Sequence, residues 1–190
     1  MNRRWFFAAA GAAALFGLGF AATEALAPRP RLVWNASASA PVGLYRITVR
    51  DRYAVGDLVL IRPDARTARF LSERRYVPMG TPLLKRIAAL PGDTVCRDGA
   101  TVRINGRAAA AALARDRRGR VLPRWSGCRT LRGGELFLLN VPEGSLDSRY
   151  FGPVPSSGLI GAARPILTRD APGAPLRWRP SAPAMSPVQH

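Results

Sequence analysis

Leu83-Leu84-Lys85-Arg86-Ile87-Ala88-Ala89-Leu90-Pro91-Gly92-Asp93 is an apolar run that ends in a turn signal. Its apolar residues do not alternate with polar ones, so Leu83 to Leu90 reads as a strand of a sheet interior, covered on both faces. Inside it stands Lys85, the one lysine of a chain that has twenty-eight arginines. Arginine stays protonated at any ordinary pH, whereas a lysine desolvated among Leu83, Leu84 and Ile87 loses its proton far more easily. The run therefore gives both a core strand and a candidate general base.

Working outward, Val42 to Val49 and Val55 to Ile61 are rich in branched and aromatic residues, with Gly56-Asp57 as a turn, and read as two more strands. Thr67 to Arg75 carries helix formers and reads as a short helix or loop. Thr101 to Ile104 followed by Asn105-Gly106 is a hairpin signal. Glu135 to Asn140 and Leu159 to Leu167 are further apolar strands, Pro165 marking an edge or an end. Alanines 108 to 112 and the run Arg115-Asp116-Arg117-Arg118-Gly119-Arg120 read as a polar excursion outside the core. Many short strands and little helix predict a mainly antiparallel β domain.

The N-terminus sets topology. Asn2-Arg3-Arg4 precedes a nearly unbroken apolar run from Trp5 to Ala27, helical and just long enough to cross a bilayer of about 30 Å. The arginines in front of it hold that end in the cytoplasm and export the rest. A retained anchor and a signal peptide cleaved after Ala25-Leu26-Ala27 both fit. The chain thus divides into an anchor or signal segment (1–27), one domain (28–169), and a Pro-rich tail (170–190) expected to be disordered.

Composition removes several function classes. The formal charge of +17 is written in scattered arginines, with no basic stripe interleaved with aromatics, so nucleic acid is not the expected partner. Proximity to anionic lipid fits the same charge. The only histidine is His190, the last residue, which excludes Ser-His-Asp and Cys-His machinery and histidine zinc sites. No metal or organic cofactor is expected. Cys96 and Cys128 are too few for a thiolate metal site and, in an exported domain, are expected to form a disulfide.

A lysine base needs a hydroxyl nucleophile. Asn35-Ala36-Ser37-Ala38-Ser39-Ala40-Pro41-Val42-Gly43-Leu44-Tyr45 offers two serines among small residues, and Ser145-Leu146-Asp147-Ser148-Arg149-Tyr150-Phe151-Gly152-Pro153-Val154 follows the last core strand but one. In this order, over about residues 33–167, the three segments resemble the signal peptidase I family of Ser-Lys peptidases, S26. They are most similar to its conjugative-transfer, TraF-type branch. The matching forms are Ser-x-Pro-x-Gly-Leu-Tyr, Lys-Arg-x-x-x-x-Pro-Gly-Asp and Ser-x-Asp-Ser-Arg-x-x-Gly-x-Val. Ala40-Pro41 after the serine favours the transfer branch over general leader peptidases.

The resemblance implies a signal-peptidase-like β catalytic domain after one N-terminal apolar helix, with Ser39 as nucleophile and Lys85 as base. Ser37 would help hold the oxyanion, Ser145 would bond the lysine amine, and Asp147 with Arg149 would brace the site. It further implies an inner-membrane or periplasmic peptidase acting on a pilin precursor, linear or cyclised, beside other envelope proteins of the transfer apparatus. General removal of secretory leaders and a non-catalytic role in that apparatus are the alternatives.

Overall fold

A computed structural model describes residues 3–26 and 32–179. The first unit is a single helix, α1 (Arg3–Leu26), on which Leu15, Phe16 and Leu18 stand exposed. Among the described residues no helix is long and apolar enough to cross a membrane. The cleavage signal ends at Ala27, which lies outside the described residues, as do the prolines that follow it.

The second unit holds two antiparallel sheets. The larger comprises β1 (Leu32–Asn35), β2 (Gly43–Thr48), β3 (Leu58–Ile61), β4 (Leu83–Ala89), β9 (Glu135–Leu139), β10 (Val154–Pro155), β11 (Leu159–Thr168) and β12 (Arg177–Trp178). Its order is β1-β2-β11-β3-β4-β9-β10, with β12 paired to β11. The smaller, in order β7-β6-β5-β8, comprises β5 (Thr94–Asp98), β6 (Thr101–Ile104), β7 (Arg107–Ala111) and β8 (Gly127–Thr130). Two helices complete the unit, α2 (Ala65–Glu73) and the single turn α3 (Ser148–Phe151).

The central strands are covered on both faces, as their unbroken apolar sequence requires. Leu60 and Leu84 pack with Tyr45, Ile47 and Ile160 on one face, while Val59, Ile61 and Ile87 pack with Leu136 and Leu138 on the other. A third cluster, Val95, Val102, Leu131 and Phe137, joins the two sheets. Asn105 and Gly106 both take positive φ, 49° and 79°, which is the turn geometry that suits a two-residue hairpin. The Pro-Gly-Asp ending of the opening run is structural: Asp93 accepts from Leu90 N and Asn105 Nδ2 and closes the turn into β5.

Several elements differ from expectation. Leu32 to Asn35, which the sequence reading did not include among its strands, is β1 and pairs with β2. Strands β5 and β8 have too little apolar alternation to read from sequence; they are joined by the Cys96–Cys128 disulfide, whose cysteines are direct cross-strand partners. The polar excursion contributes to the core after all, since Ala112 and Leu122 are buried against Tyr150. The tail expected to be disordered from 170 begins with ordered backbone: Arg177 and Trp178 pair with Thr168 and Leu167, and Arg179 Nε donates to Thr168 Oγ1. Residues 180–190, His190 among them, lie outside the described residues.

Candidate active site

Strand β4 carries Lys85 inward, opposite Val59 of β3, leaving it 4% exposed. The β4–β9 ladder continues past Leu139 through a side chain. Asn140 Nδ2 donates to Leu84 O (3.0 Å), and Asn140 Oδ1 accepts from Arg86 N (3.1 Å). The two residues flanking Lys85 are thus held by one amide, which fixes where the lysine stem leaves the strand.

From Asn140 the chain turns back, closed by Ser145 N donating to Pro142 O, and this brings buried Ser145 to the lysine. Lys85 Nζ donates to Ser145 Oγ at 2.7 Å, its single hydrogen bond among the described residues. Asp147 caps α3 by accepting from Arg149 N, and also accepts from Asn140 N (3.0 Å) and Arg149 Nε (2.8 Å). Arg149 donates further to the carbonyls of Asn140, Glu143 and Ala111. The Asp147 and Arg149 side chains are 0% and 1% exposed. Their pair ties both ends of the 140–147 turn and so presents Ser145 to Lys85. From the smaller sheet, buried Arg97 donates to Arg149 O at 2.6 Å.

Burial lowers the Lys85 pKa from 10.5 to about 8. The Asp147 carboxylate opposes that shift and the Arg149 cation assists it. Desolvation dominates because water is lost to the whole ammonium, whereas the two fixed charges act in opposite senses.

The serine segment is built differently. Asn35, at the end of β1, accepts from Ser37 N and donates from Nδ2 to the carbonyls of Ser37 (2.8 Å), Ala40 (3.1 Å) and Pro41 (3.0 Å). Tyr45 Oη donates to Pro41 O at 2.6 Å. Gly43 has φ +150°, and a Cβ there would lie 2.0 Å from Leu167 O, so only glycine lets the segment enter β2 against β11. Ser37 Oγ donates to Ser39 Oγ at 3.0 Å and accepts from Ser39 N at 3.3 Å. Ser37 is exposed and Ser39 half-buried.

Ser39 lies in the wall of two cavities. One, of about 370 Å³, has mostly apolar walls, including Ala40, Val42, Leu58 and Val141. The other, of about 570 Å³, is lined by Ser37, Ser39 and Ser145 together with Tyr76, Asp116 and several arginines. Ser39 and Ser145 therefore face one space, and Ser145 carries it to Lys85. No hydrogen bond joins Ser39 to Lys85 among the described residues; Ser39 is bonded to Ser37 instead. Sequence reading missed the scaffolding roles of Asn35, Tyr45 and Asn140, which no local pattern announces. Among the described residues no group of three or more His, Cys, Asp or Glu stands together to hold a metal ion.

Comparison with known proteins places these residues in a family. Residues 3–168 match the family described as signal peptidase, peptidase S26. The chain is 42% identical over 146 residues to the conjugal transfer protein TraF of Agrobacterium tumefaciens, covering 70% of this chain and 81% of that one. It is 40% identical over 144 residues to the probable conjugal transfer protein TraF of Sinorhizobium fredii, covering 70% and 76%. Against a plasmid transfer protein TraF of Escherichia coli it is 35% identical over 144 residues, covering 70% and 81%. A solved signal peptidase I from Enterococcus faecalis aligns at 21% identity and a TM-score of 0.36, over 60% of this chain and 98% of that one. The chain belongs to the signal peptidase family, peptidase S26, as a TraF-type member.

Proposed function

We propose that this chain is a serine endopeptidase in which Lys85 activates Ser39. The observation that carries the reading is the environment of Lys85: a buried amine with one hydroxyl partner, its pKa lowered to about 8, next to a cavity walled by a serine among small residues. In the free enzyme Ser37 occupies both the hydroxyl and the N–H of Ser39. As a peptide enters, Ser37 turns to the substrate carbonyl oxygen and Ser39 turns to Lys85. The neutral amine takes the Ser39 proton, the alkoxide attacks the carbonyl, and the resulting ammonium protonates the leaving amine. The freed Ser39 N–H and the Ser37 hydroxyl stabilise the oxyanion, an effect worth roughly 3 kcal/mol for one donor. Asp147, Arg149 and Asn140 hold the base and its partner in place without touching the reacting atoms.

The acyl-enzyme is resolved by water or by an amine of the substrate itself, giving a linear or a cyclic product. Because relatives at 35–42% identity are transfer proteins, the substrate proposed is a conjugative pilin precursor within the transfer apparatus of the envelope. The two arginines that open α1, the apolar run after them and the disulfide support a catalytic unit on the periplasmic side, either anchored or released.

Co-expression with a conjugative pilin precursor tests the reading through the mass of the product. A shortened pilin with the wild-type chain and an intact precursor with Ser39→Ala are expected. Equal processing of a secretory preprotein would favour a general signal peptidase. Processing of neither by the folded chain would favour a structural role in the apparatus. In turnover, kcat/KM should rise with pH through an apparent pKa of about 8, since only the neutral amine accepts the proton.

A further inference from the structure

The larger cavity beside Ser39 has a cationic rim that the proposed chemistry does not use. Arg75, Arg117, Arg118 and Arg120 line it, against two carboxylates, Asp116 and Glu143. Asp116 is fully engaged: it accepts from Tyr76 Oη, from Arg118 N (2.8 Å) and Arg120 N (2.9 Å), and from Arg120 Nε (2.7 Å). Arg120 is thereby neutralised, and it also lies over the Tyr76 ring at 4.8 Å and donates to Arg74 O. Arg75, Arg117 and Arg118 are exposed and have no carboxylate partner among the described residues.

These arginines are displayed on ordered backbone. Asp116 N donates to Arg120 O and Gly119 N to Asp116 O, so Arg117 and Arg118 sit at the tip of a tight turn that the Asp116 carboxylate also clamps. The residue that follows this turn is tied to the C-cap of α2, Arg74 Nη1 donating to Val121 O. The backbone beneath these two arginines is fixed, so only their side chains must be ordered on meeting an anion, and guanidinium matches a carboxylate with paired donors. The other cavity at Ser39 is mostly apolar, so the surroundings of a bond presented to Ser39 are of two unlike kinds.

We propose that the arginine-rimmed cavity is a carboxylate subsite, taking an acidic side chain or the free C-terminal carboxylate of the peptide presented to Ser39. This rests on the peptidase reading above, and the two are tested by separate measurements.

The experiment uses the full chain in detergent micelles carrying Ser39→Ala. Fluorescently labelled Ala/Ser/Gly decapeptides are titrated with one Glu or one Gln at each successive position, and with a free or an amidated C-terminus. The expected result is a roughly tenfold tighter Kd for Glu than for Gln at one position or two neighbouring ones, or for the free over the amidated terminus. The first outcome identifies a side chain and the second a chain end. The preference should vanish in Arg75→Gln/Arg117→Gln/Arg118→Gln and turn towards Lys peptides in Arg117→Glu/Arg118→Glu. Glu and Gln within twofold at every position with both termini equivalent, no binding of any peptide, or a preference that survives the triple variant would each overturn the subsite. So would a triple variant that keeps the peptide preference and loses only its binding to phosphatidylglycerol vesicles, which would make the rim a lipid contact. Hydrolysis of any of these peptides by the chain with Ser39 intact, absent with Ser39→Ala, reports on the peptidase reading independently.

Discussion

Lys85 and Ser39 sit in opposite kinds of structure. Around Lys85, Asn140, Ser145, Asp147 and Arg149 are all buried and joined by hydrogen bonds that leave little freedom. Around Ser39, an exposed segment is held mainly by the Asn35 amide and by Tyr45. Under the proposed function the difference follows from the two tasks. A lysine base needs desolvation, hence burial, and a buried charge network survives only when every member is bonded. A nucleophile must be reached by a polypeptide, so it cannot be enclosed. Changes in the buried block should therefore move stability and activity together, while changes in the serine segment should move activity alone.

The largest effect expected is on turnover. Ser39→Ala should reduce peptidase activity to background with an unchanged Tm, because a half-exposed hydroxyl bonded only to Ser37 contributes little to the fold. Lys85→Met should be equally inactive, yet stability should respond. Below pH 8 the native state must carry a buried ammonium; between about 8 and 10.5 the unfolded lysine still holds a proton that the native one has released. Wild-type stability should thus rise with pH across that window, by at most about 3 kcal/mol, and Lys85→Met should flatten the rise. Chemical denaturation at pH 7 and pH 10 reads it. A parallel rise in the variant would assign the effect to other groups.

Next in size is Asp147→Ala. Removing one member of a buried pair leaves Arg149 charged without its partner and should cost about 3–5 kcal/mol, with activity falling as the 140–147 turn loosens. A loss below about 1 kcal/mol, the range of exposed pairs, would remove the contrast between the two regions. Replacing Cys96 and Cys128 by alanine opens a loop with a sequence separation of 32 and should cost about 3–4 kcal/mol in the chain-entropy model. Asn35→Ala should be mild for the fold and clear in kinetics, lowering kcat with a stability change of about 1 kcal/mol or less, because the bonds it removes lie at the partly solvated edge of the serine segment.

Legibility followed the same division. The buried strands could be read because their chemistry is dictated by burial: Leu83 to Leu90 lies in the larger sheet with its side chains in clusters on both faces. The Lys85–Ser145 juxtaposition follows two strands that sequence places only by pattern, and it was reachable through the motif of a family. What sequence did not give was the scaffolding amides. Asn140 reads as the polar end of a strand, and nothing local says that its side chain will take over a ladder between residues 54 and 56 positions apart. Strand β8 is exposed throughout and has no apolar signal, so only its pairing with β5 defines it. The order at Arg177–Trp178 comes from pairing with β11, a partner that a Pro-rich tail cannot announce.

The chain's single lysine allows the central claim to be measured at one atom. Protein labelled with [15N]lysine gives one side-chain amine signal, that of Lys85, and its shift can be followed against pH in the folded chain. A midpoint near 8 is expected, moving to the ordinary lysine value of about 10.4 on unfolding. A folded-state midpoint at or above 10 would mean that Lys85 is an ordinary ammonium near neutral pH, and Ser39 would then have no base.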